Sequence, residues 1–543
     1  MNKKSSNKKS MKTSPSILLI TGYAAKKLVE KYAPVNSSIK VLPIDVAAFI
    51  TKGLLLRHIT KEEANNYDLI MVPGLIKEDL SEVGEKLGVP VIKGPRHITD
   101  LKIVLNELDP HQLSSKKPAD TFISKKKQEE LHKIIGRGFN LPIETSKGEY
   151  LISATKKDFP VGINRPPLIM AEIVDATTLP METVLDRAQY YLENGVEIID
   201  IGATTKSPEP RRVKNIIKTI RQHFQEDYNF AISIDTLNVE EICAALKTGI
   251  DLILSIDHGN IDSLLPELSP EVGVVFIPTN VEKGIMPKTT EKRVSSLLNL
   301  RDQLLEHGIT RIAADPIIQM PIYPGFAQSL DSYIEYRKRD SLTPMMTCVG
   351  NVTEFIAADA IGINGLFGCI AVELGIQFLL MTDVSVKCRG GVKEILKARN
   401  LAYAAMQKQM PPKDQGVNLL MAKSRIGSEE SIEMPKTVQR IKLEKNSAAQ
   451  KQNLKFTPDP KGNFSIWINF HKQLIYLAHL ERGSNQPDLL ISGRTARELF
   501  NQIIKRDLIS RLDHAFYLGK ELERAEICLF LGKTYIQDRQ TFH

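Results

Sequence analysis

Short apolar runs and helix-like segments alternate eight times between residues 160 and 410. Leu252–Ile256 and Ile376–Met381 are typical apolar runs, and both are bounded by glycine or polar residues. Strands that alternate with helices favour a parallel sheet. Eight such steps in about 240 residues match the size of a barrel of eight parallel strands surrounded by helices. We therefore predict an α/β fold with a central (β/α)8 barrel, the TIM barrel architecture.

The remainder of the chain differs from the barrel stretch in composition and pattern. A chain of 543 residues exceeds what one hydrophobic core supports, so we expect about three domains. Strands and helices alternate before the barrel without a phosphate-binding glycine motif, whereas strands precede two helices after it. The predicted order is a disordered basic tail (1–15), a small Rossmann-like parallel α/β domain (16–110), a linker region (111–159), the barrel (160–410), a second linker (411–450) and an α+β domain (451–543).

Charge and hydropathy argue against nucleic-acid and membrane partners. The net charge is +8, but five of the lysines fall in the first twelve residues and no basic stripe follows them. Residues 361–380 reach the length of a membrane span, yet Asn364, Glu373 and Gln377 interrupt them. We therefore expect neither nucleic-acid binding nor a transmembrane segment.

Cysteine usage indicates a reducing compartment. The chain has five cysteines, and none of them forms a C-x-x-C pair. This pattern predicts neither a disulfide framework nor a zinc motif, so we expect no metal site of that kind. Scattered thiols are typical of a cytoplasmic protein.

Polar residues follow most of the predicted barrel strands. The carboxyl ends of such strands converge on one mouth, where active sites lie. We therefore expect the strand-end residues to face one cavity, although Asp and Asn at such positions can also cap the next helix. The candidate ligand-binding residues are Asp175, Asp200, Asp235, Asp257, Asp315, Asn351 and Asp383.

Cationic and glycine residues near two strand ends are candidates for anion binding. One group follows the second strand and the other follows the eighth, just before a helix. Barrels of this kind often bind phosphate on backbone N–H groups at such a helix start, although paired glycines can also form a simple tight turn. The candidates are Lys206, Arg211, Lys387, Arg389, Gly390 and Gly391.

Several strand ends resemble those of a known family. Ile173–Thr177 resembles the first strand end of dihydropteroate synthases, and Gly195–Lys206 resembles their second. Ser233–Thr236 and Asp315-Pro316 resemble their third and sixth strand ends. In this order, the matches identify the chain as similar to archaeal dihydropteroate synthase-related proteins with extra domains at both ends. The resemblance implies that Asp235 and Asp315 bind a reduced pterin.

The chain also departs from the synthase pattern. Leu254 stands where the synthases have a pterin-binding Asn, and Leu380–Thr382 replaces their Arg-Val-His. Gly350–Thr353 replaces their Ser-Arg-Lys and is instead similar to the Ser-Asn-Val-Ser of methyl-pterin:corrinoid methyltransferases. Two cationic contacts for a departing pyrophosphate are therefore missing, and such a reaction needs positive groups.

These observations support three functional hypotheses. The first is a dihydropteroate synthase-like transferase of tetrahydromethanopterin or folate one-carbon metabolism, which condenses a dihydropterin pyrophosphate with an arylamine. The second is a methyl-tetrahydropterin methyltransferase that acts on a separate corrinoid protein, and the third is a non-catalytic pterin-binding scaffold. We expect a reduced pterin as substrate or cofactor, Mg2+ if the substrate is a pyrophosphate, and a homodimer. No catalytic residue is assigned.

Overall fold

The computed structural model describes residues 15–35, 37–107, 113–413, 415–421, 439, 457–539 and 541. The predicted tail, except Pro15, and most of the predicted second linker lie outside these residues. The chain forms two compact units. One comprises the residues up to Ile134 together with Gln407–Val417, and the other comprises Ile135–Met406 together with Asn418–His543.

The first unit contains a parallel sheet, as predicted, and this sheet has four strands. Its strand order is β2-β1-β3-β4, with β1 (Ile17–Thr21), β2 (Ser37–Val41), β3 (Leu69–Val72) and β4 (Val91–Lys93). The accompanying helices are α1 (Lys26–Tyr32), α2 (Lys52–His58), α3 (Lys61–Ala64), α4 (Ser81–Leu87) and α5 (Leu101–Glu107). Two separate apolar clusters, one around Val29 and Leu101 and the other around Leu55 and Val83, show that helices cover both faces.

The second unit is built on the predicted barrel, which the structure confirms as a closed ring of eight parallel strands. The two apolar runs named from the sequence, Leu252–Ile256 and Ile376–Met381, coincide with two of its strands. The strands are β7 (Leu168–Ile173), β8 (Ile198–Gly202), β9 (Ala231–Asp235), β10 (Leu252–Ile256), β11 (Gly273–Phe276), β12 (Ile312–Ala314), β13 (Met345–Cys348) and β14 (Ile376–Met381). α6 (Ser124–Asn140) precedes the barrel in the chain and contains the boundary between the units at Ile134. The helices that follow are α7 (Met181–Glu193), α8 (Pro210–Phe224), α9 (Val239–Leu246), α10 (Ile261–Leu264), α11 (Thr290–Glu306), α12 (Phe326–Arg339), α13 (Gly350–Thr353), α14 (Ala360–Leu374) and α15 (Gly391–Lys408).

A hairpin closes the amino-terminal end of the barrel. Its strands, β5 (Tyr150–Ile152) and β6 (Phe159–Val161), pair antiparallel. Ile152 and Val161 are fully buried in one cluster with the inward-facing barrel residues, and the Tyr150 hydroxyl donates to the Ile312 carbonyl at 3.0 Å. The stretch 111–159, predicted as a linker, therefore contributes α6 and half of this hairpin. The two strands of the hairpin have only three residues each, which is too few for an alternation of apolar and polar residues to be recognised in the sequence.

The C-terminal region is an α+β layer, as predicted. Its antiparallel strands are β15 (Asn463–Asn469), β16 (Leu474–Leu480) and β17 (Leu489–Gly493), followed by α16 (Ala496–Lys505) and α17 (Leu512–Leu531). The layer packs on the barrel through Phe470, whose ring centroid lies 5.3 Å from that of Tyr190. Lys472 adds an ion pair with Asp186 at 3.3 Å. No helix in the described parts of the chain is long and apolar enough to cross a membrane.

Candidate functional site

Strand register brings three acidic side chains together inside the barrel. Along β7, Leu168, Met170 and Glu172 share one side of the strand, because side chains alternate with a period of two. Leu168 and Met170 belong to the interior cluster, so Glu172 also points inward. Glu172 lies opposite Asp200 on β8, and Gly202 on β8 lies opposite Asp235 on β9. The inward faces of three adjacent strands thus become acidic at their carboxyl ends.

The three carboxylates approach each other closely. One oxygen each from Glu172, Asp200 and Asp235 lies within 4.8 Å of the other two. Gly202 makes room for this arrangement, because a Cβ there would lie 2.5 Å from Oε1 of Glu172. Asp200 is fully buried, and its Oδ2 has no hydrogen-bond partner among the described residues. The cluster therefore has acceptor capacity that the protein itself does not use.

Burial raises the pKa values of the cluster. Burial first, and then the charges of Asp235 and Asp175, raise the pKa of Glu172 to about 8. Burial first, and then the charges of Asp235 and Glu172, raise the pKa of Asp200 well above its ordinary value, and burial raises the pKa of Asp235 as well. Adjacent like charges that cannot all ionise are expected to share protons. The cluster therefore holds protons at neutral pH or takes a partner rich in N–H donors or positive charge.

Asp315 forms the other side of the mouth. It lies just after β12 and is 8% exposed. Its Oδ1 accepts hydrogen bonds of 2.7 Å from the Tyr333 hydroxyl and from the Ile317 N–H. Burial raises the pKa of Asp315 to about 6, and the charge of Asp235 contributes to this shift. Asp235 therefore interacts electrostatically with both Glu172 and Asp315.

Unusual backbone geometry accompanies these acids. Asp175, Ser255 and Ile317 have φ values of 51°, 68° and 61°. Such values are uncommon outside glycine, and a β-branched residue there is strained. All three residues lie at the carboxyl ends of barrel strands, the end where barrel active sites occur. Strain concentrated in this way is a feature of ligand sites.

Two expected residues lie at the mouth in different settings. Asp175 is exposed just beyond β7, and its charge raises the pKa of Glu172. Asn351 is partly exposed in α13, and its Nδ2 donates to the Ile318 carbonyl at 3.2 Å. Both side chains remain accessible to a ligand at the mouth.

Asp257 corrects the expectation that all the strand-end residues face one cavity. It is 1% exposed, and both of its oxygens are occupied. Oδ1 accepts from the Gly259 N–H at 2.7 Å, and Oδ2 accepts from Thr279 Oγ1 at 2.8 Å and from the Val281 N–H at 2.7 Å. Asp257 holds the loops after β10 and β11 in place. It therefore has the structural role, like that of a helix cap, which was the alternative to ligand binding.

Asp383 and the glycines after it require a second correction. Asp383 is fully buried, and its Oδ1 accepts from the Val392 N–H at 3.1 Å in the first turn of α15. Gly391 is packed so closely that a Cβ would lie 2.2 Å from Cε of Met381. The helix start that was expected to bind an anion at Gly390 and Gly391 therefore already holds a carboxylate of the protein.

The predicted cations do not converge. Lys387 donates to the Thr353 carbonyl at 2.6 Å, and Arg389 contacts Oγ1 of Thr534 in the C-terminal layer at 3.5 Å. Lys206 and Arg211 are exposed, on the loop after β8 and in the first turn of α8. Among the six anion-binding candidates named from the sequence, only Lys206 and Arg211 are exposed to solvent.

Four residues of the site are not among the candidates predicted from the sequence. Glu172 has the same inward alternation as Leu168 and Met170, and this signal could have identified it. Cys348 ends β13, and burial, followed by the charge of Glu172, raises the pKa of its thiol. Ser255 and Tyr333 donate to Asp235 and Asp315, and these tertiary contacts have no signal in the sequence.

The donor set suits two kinds of partner. Clustered carboxylate oxygens are suitable ligands for a hard divalent cation such as Mg2+. They also suit a flat heterocycle with several N–H donors, because one carboxylate can accept two parallel hydrogen bonds. A cation would balance the charge of Glu172, Asp200 and Asp235, and a heterocycle would supply the hydrogen-bond donor that Oδ2 of Asp200 lacks among the described residues.

Three family models match separate parts of the chain. Residues 16–96 match a family of unknown function (DUF6513). Residues 173–329 match the family described as Pterin binding enzyme, and residues 458–538 match the family PterinBD-DUF4346. The middle match covers β8 to β12 together with Asp235 and Asp315.

The chain is also similar to individual proteins, one of them over nearly its whole length. The chain is 28% identical over 171 residues to the dihydropteroate synthase of Streptococcus pyogenes serotype M3, which covers 29% of this chain and 60% of the relative. The solved Yersinia pestis dihydropteroate synthase with a pterine-sulfa conjugate is 17% identical, with a TM-score of 0.37 over 48% of this chain and 100% of that chain. Uncharacterized protein MJ0107 of Methanocaldococcus jannaschii is 34% identical over 97% of this chain and 99% of its own length. At this identity and coverage, the chain belongs to the same family as MJ0107, a family of dihydropteroate synthase-related proteins with a barrel of the pterin-binding type and additional N- and C-terminal domains.

Proposed function

We propose that the barrel mouth binds the ring of a reduced pterin and that the protein is a pterin-dependent transferase. The observation that carries this proposal is the convergence of Glu172, Asp200 and Asp235, with Asp315 beside them, at the carboxyl ends of the barrel strands. The pterin ring has an edge of N–H donors, and the buried carboxylates of Glu172, Asp200 and Asp235, which have no cationic partner among the described residues, are suitable acceptors.

The roles divide according to protonation and position. Asp235 and Asp315 accept N–H groups of the ring, and Ser255 and Tyr333 orient their carboxylates. Glu172 is largely protonated at neutral pH because its pKa is about 8. A protonated carboxyl donates a hydrogen bond as well as accepting one. Glu172 therefore complements a ring position that carries an acceptor.

The comparisons support the same ligand. The family that matches residues 173–329 is described as Pterin binding enzyme, and the relative from Streptococcus pyogenes is named a dihydropteroate synthase. That relative is matched over 60% of its length, so its complete activity is a proposal for this chain.

The first candidate reaction is of the synthase type and belongs to folate or tetrahydromethanopterin metabolism. The nitrogen of an arylamine attacks the methylene carbon of a dihydropterin pyrophosphate and forms a C–N bond. The C–O bond to pyrophosphate breaks, pyrophosphate leaves with the bonding pair, and the amine loses a proton. Lys206 and Arg211 are the exposed cations that would attract the leaving group, with Mg2+ as its counter-ion.

The second candidate reaction is methyl transfer from a methylated tetrahydropterin to the corrinoid of a separate protein. The acidic character of the mouth favours it, because Asp383 occupies the helix start that would otherwise bind an anion. In this reaction the bond between the methyl group and a pterin nitrogen breaks, and the nitrogen keeps the bonding pair and takes up a proton. The methyl group forms its new bond with an electron pair that the reduced corrinoid of the separate protein supplies. Glu172 is a protonated carboxyl in this part of the barrel.

Calorimetric titration with three ligands tests ligand and reaction together. The full-length protein is titrated with a reduced pterin, a methylated tetrahydropterin and a dihydropterin pyrophosphate. Tightest binding of the pyrophosphate, with pyrophosphate release when an arylamine is added, supports the synthase reaction. Tightest binding of the methylated pterin, with methyl transfer to an added corrinoid protein, supports the second reaction. Pterin binding with neither activity leaves the scaffold, and no binding refutes the proposal.

Asp235→Asn tests the site itself. An amide replaces one acceptor oxygen by a donor, so we expect at least about a tenfold loss of pterin affinity from the lost charge-assisted hydrogen bonds. Asp227→Asn is the matched control, because Asp227 is exposed on the loop before β9, at the opposite end of the barrel. Equal affinities of the two variants would contradict the assignment of Asp235.

A further inference from the structure

A pocket opens at the carboxyl end of the four-stranded sheet, within the first unit. Its volume is about 240 Å3. Pockets for drug-sized ligands are roughly 300–1,000 Å3, so this one suits a smaller molecule. The residues that line it come from β1, α1, β3 and α5 and from the segments that follow each of the four strands.

The strand order explains why the pocket lies there. In the order β2-β1-β3-β4, the chain moves from β1 to one side of the sheet and from β3 to the other. The loops that leave β1 and β3 therefore diverge and leave a crevice at the switch point, where open α/β sheets bind ligands. Thr21 at the end of β1 and Val72 at the end of β3 line this crevice.

Backbone contacts hold the pocket walls in place. The Tyr23 N–H donates to the Ile44 carbonyl at 2.9 Å, and the Gly74 N–H donates to the Pro95 carbonyl at 3.1 Å. Both approaches depend on glycine: a Cβ on Gly74 would lie 2.4 Å from the Gly94 carbonyl oxygen, and one on Gly22 would lie 2.5 Å from that of Ile44. The pocket is therefore formed before any ligand binds.

The lining combines apolar walls with one cationic edge. Val29, Met71 and Leu101 supply apolar surface, whereas Arg96 and His97 supply the basic groups. Among the described lining residues, none is acidic. Asp120 lies behind Arg96, and its carboxylate accepts from both the Arg96 backbone N–H and Nη1 at 2.7 Å. This pair fixes the guanidinium and leaves Nε and Nη2 as further donors.

Aromatic side chains stand exposed on the loops beside the pocket. Tyr23 is 56% exposed and Phe49 is 69% exposed. They follow β1 and β2, the same end of the sheet as the pocket. Exposed aromatic surface next to a preformed apolar pocket is a feature of binding sites.

We propose that this pocket binds a small aromatic carboxylate of one ring, with the ring between the apolar walls and the carboxylate on Arg96. Arginine recognises carboxylates through parallel hydrogen bonds, and the thioether of Met71 makes favourable contacts with aromatic rings. The volume limits the ligand to about one ring. The N-terminal domain would thus have a binding function separate from that of the barrel.

Titration of the full-length protein with benzoate and with benzamide tests the chemistry. The two probes have the same ring and nearly the same size, and only benzoate is charged. We expect saturable binding of benzoate and at least tenfold weaker binding of benzamide. No binding of benzoate, or equal binding of both probes, overturns the proposal.

Two substitutions locate the site. Ala25 lines the pocket and is partly buried, so Ala25→Leu should fill it and abolish benzoate binding. Arg96→Gln should weaken benzoate at least tenfold and leave benzamide unchanged, whereas Arg57→Gln, an exposed arginine of α2, should alter neither. Benzoate binding that persists in Ala25→Leu overturns the proposal even if Arg96→Gln fails to fold.

The same variants separate this site from the barrel. Ala25→Leu should keep the pterin affinity of the wild-type protein, which also shows that the chain is folded. Asp235→Asn should keep benzoate binding. Loss of benzoate binding in Asp235→Asn would place the benzoate in the barrel and overturn the proposal, without bearing on the pterin site.

Discussion

Ser255 donates its hydroxyl proton to Oδ1 of Asp235 over 2.6 Å, although its backbone has a φ of 68°. A non-glycine residue at this φ is strained by roughly 1–3 kcal/mol. The surrounding barrel holds Ser255 in this conformation, and the hydroxyl fixes one oxygen of the central acid of the mouth. Because the two oxygens belong to one planar carboxylate, the same contact also fixes the direction of the second oxygen of Asp235.

Replacing Ser255 separates strain from hydrogen bonding. Ser255→Ala and Ser255→Gly both remove the donor, so both should weaken pterin binding equally. Glycine tolerates the positive φ, so Ser255→Gly should be about 1 kcal/mol more stable than Ser255→Ala. Chemical denaturation measures the difference. At Ser295, exposed within α11, the order should reverse, because alanine exceeds glycine in helices by about 1 kcal/mol. If the alanine variant were the more stable one at both Ser255 and Ser295, the backbone of Ser255 would not be strained.

Tyr333→Phe should move the pH dependence of ligand binding. Ionised Asp315 is the better acceptor, so affinity should fall as the pH drops through its pKa of about 6. The Tyr333 hydroxyl stabilises the ionised form, and its loss should raise the midpoint by roughly one pH unit or more. Calorimetry across the pH range gives the midpoint.

Tyr336→Phe is the matched control for this shift. Tyr336 is also fully buried in α12, but its hydroxyl donates to Asp340 at 3.2 Å. Its loss should leave the midpoint of ligand binding unchanged. Equal midpoints for the two variants would show that Asp315 does not control the pH dependence.

Glu172→Gln should change the pH dependence of stability. The pKa of Glu172 rises from 4.5 to about 8 on folding, so the folded state favours the protonated form. The associated stability is complete below 4.5 and is lost as the pH rises through about 8. Glutamine stays neutral, so the variant should lose less stability than the wild type between about pH 5 and pH 9.

Thermal unfolding at several pH values tests this expectation. The melting temperature of Glu172→Gln should exceed that of the wild type at the alkaline end. Glu306→Gln, at the exposed end of α11, should follow the wild-type profile. Parallel profiles for wild type and Glu172→Gln would mean that Glu172 is not protonated in the fold.

The barrel strands could be predicted because each is a short apolar run between glycine and polar residues. β2 was not predicted, since Ser37, Ser38 and Lys40 are polar and the strand lies at the edge of its sheet. An edge strand that is only partly buried needs no apolar run. The sequence therefore identifies the strands that are buried on both faces more readily than the others.

Strand-end position alone could not separate the binding acids from the structural ones. Asp235 and Asp257 both follow apolar runs, but Oδ2 of Asp257 is occupied by groups from the loop after β11. That difference depends on where a distant loop lies. Glu172 could have been predicted from the alternation of side chains along β7, whereas Tyr333 comes from α12 and contacts Asp315 only in the folded barrel.

Ile152→Ala should destabilise the barrel, because the hairpin β5–β6 forms its floor. Ile152 is fully buried and packs so closely under the barrel that a Cβ on Gly273 would lie 2.5 Å from its Cδ1. Truncation of a buried isoleucine costs about 2–5 kcal/mol. Leu151 on the same strand is 36% exposed, so Leu151→Ala should cost less than about 1 kcal/mol. Chemical denaturation of both variants measures the two losses. If both were small, residues 150–159 would behave as the linker predicted from the sequence, and the barrel would be stable without its floor.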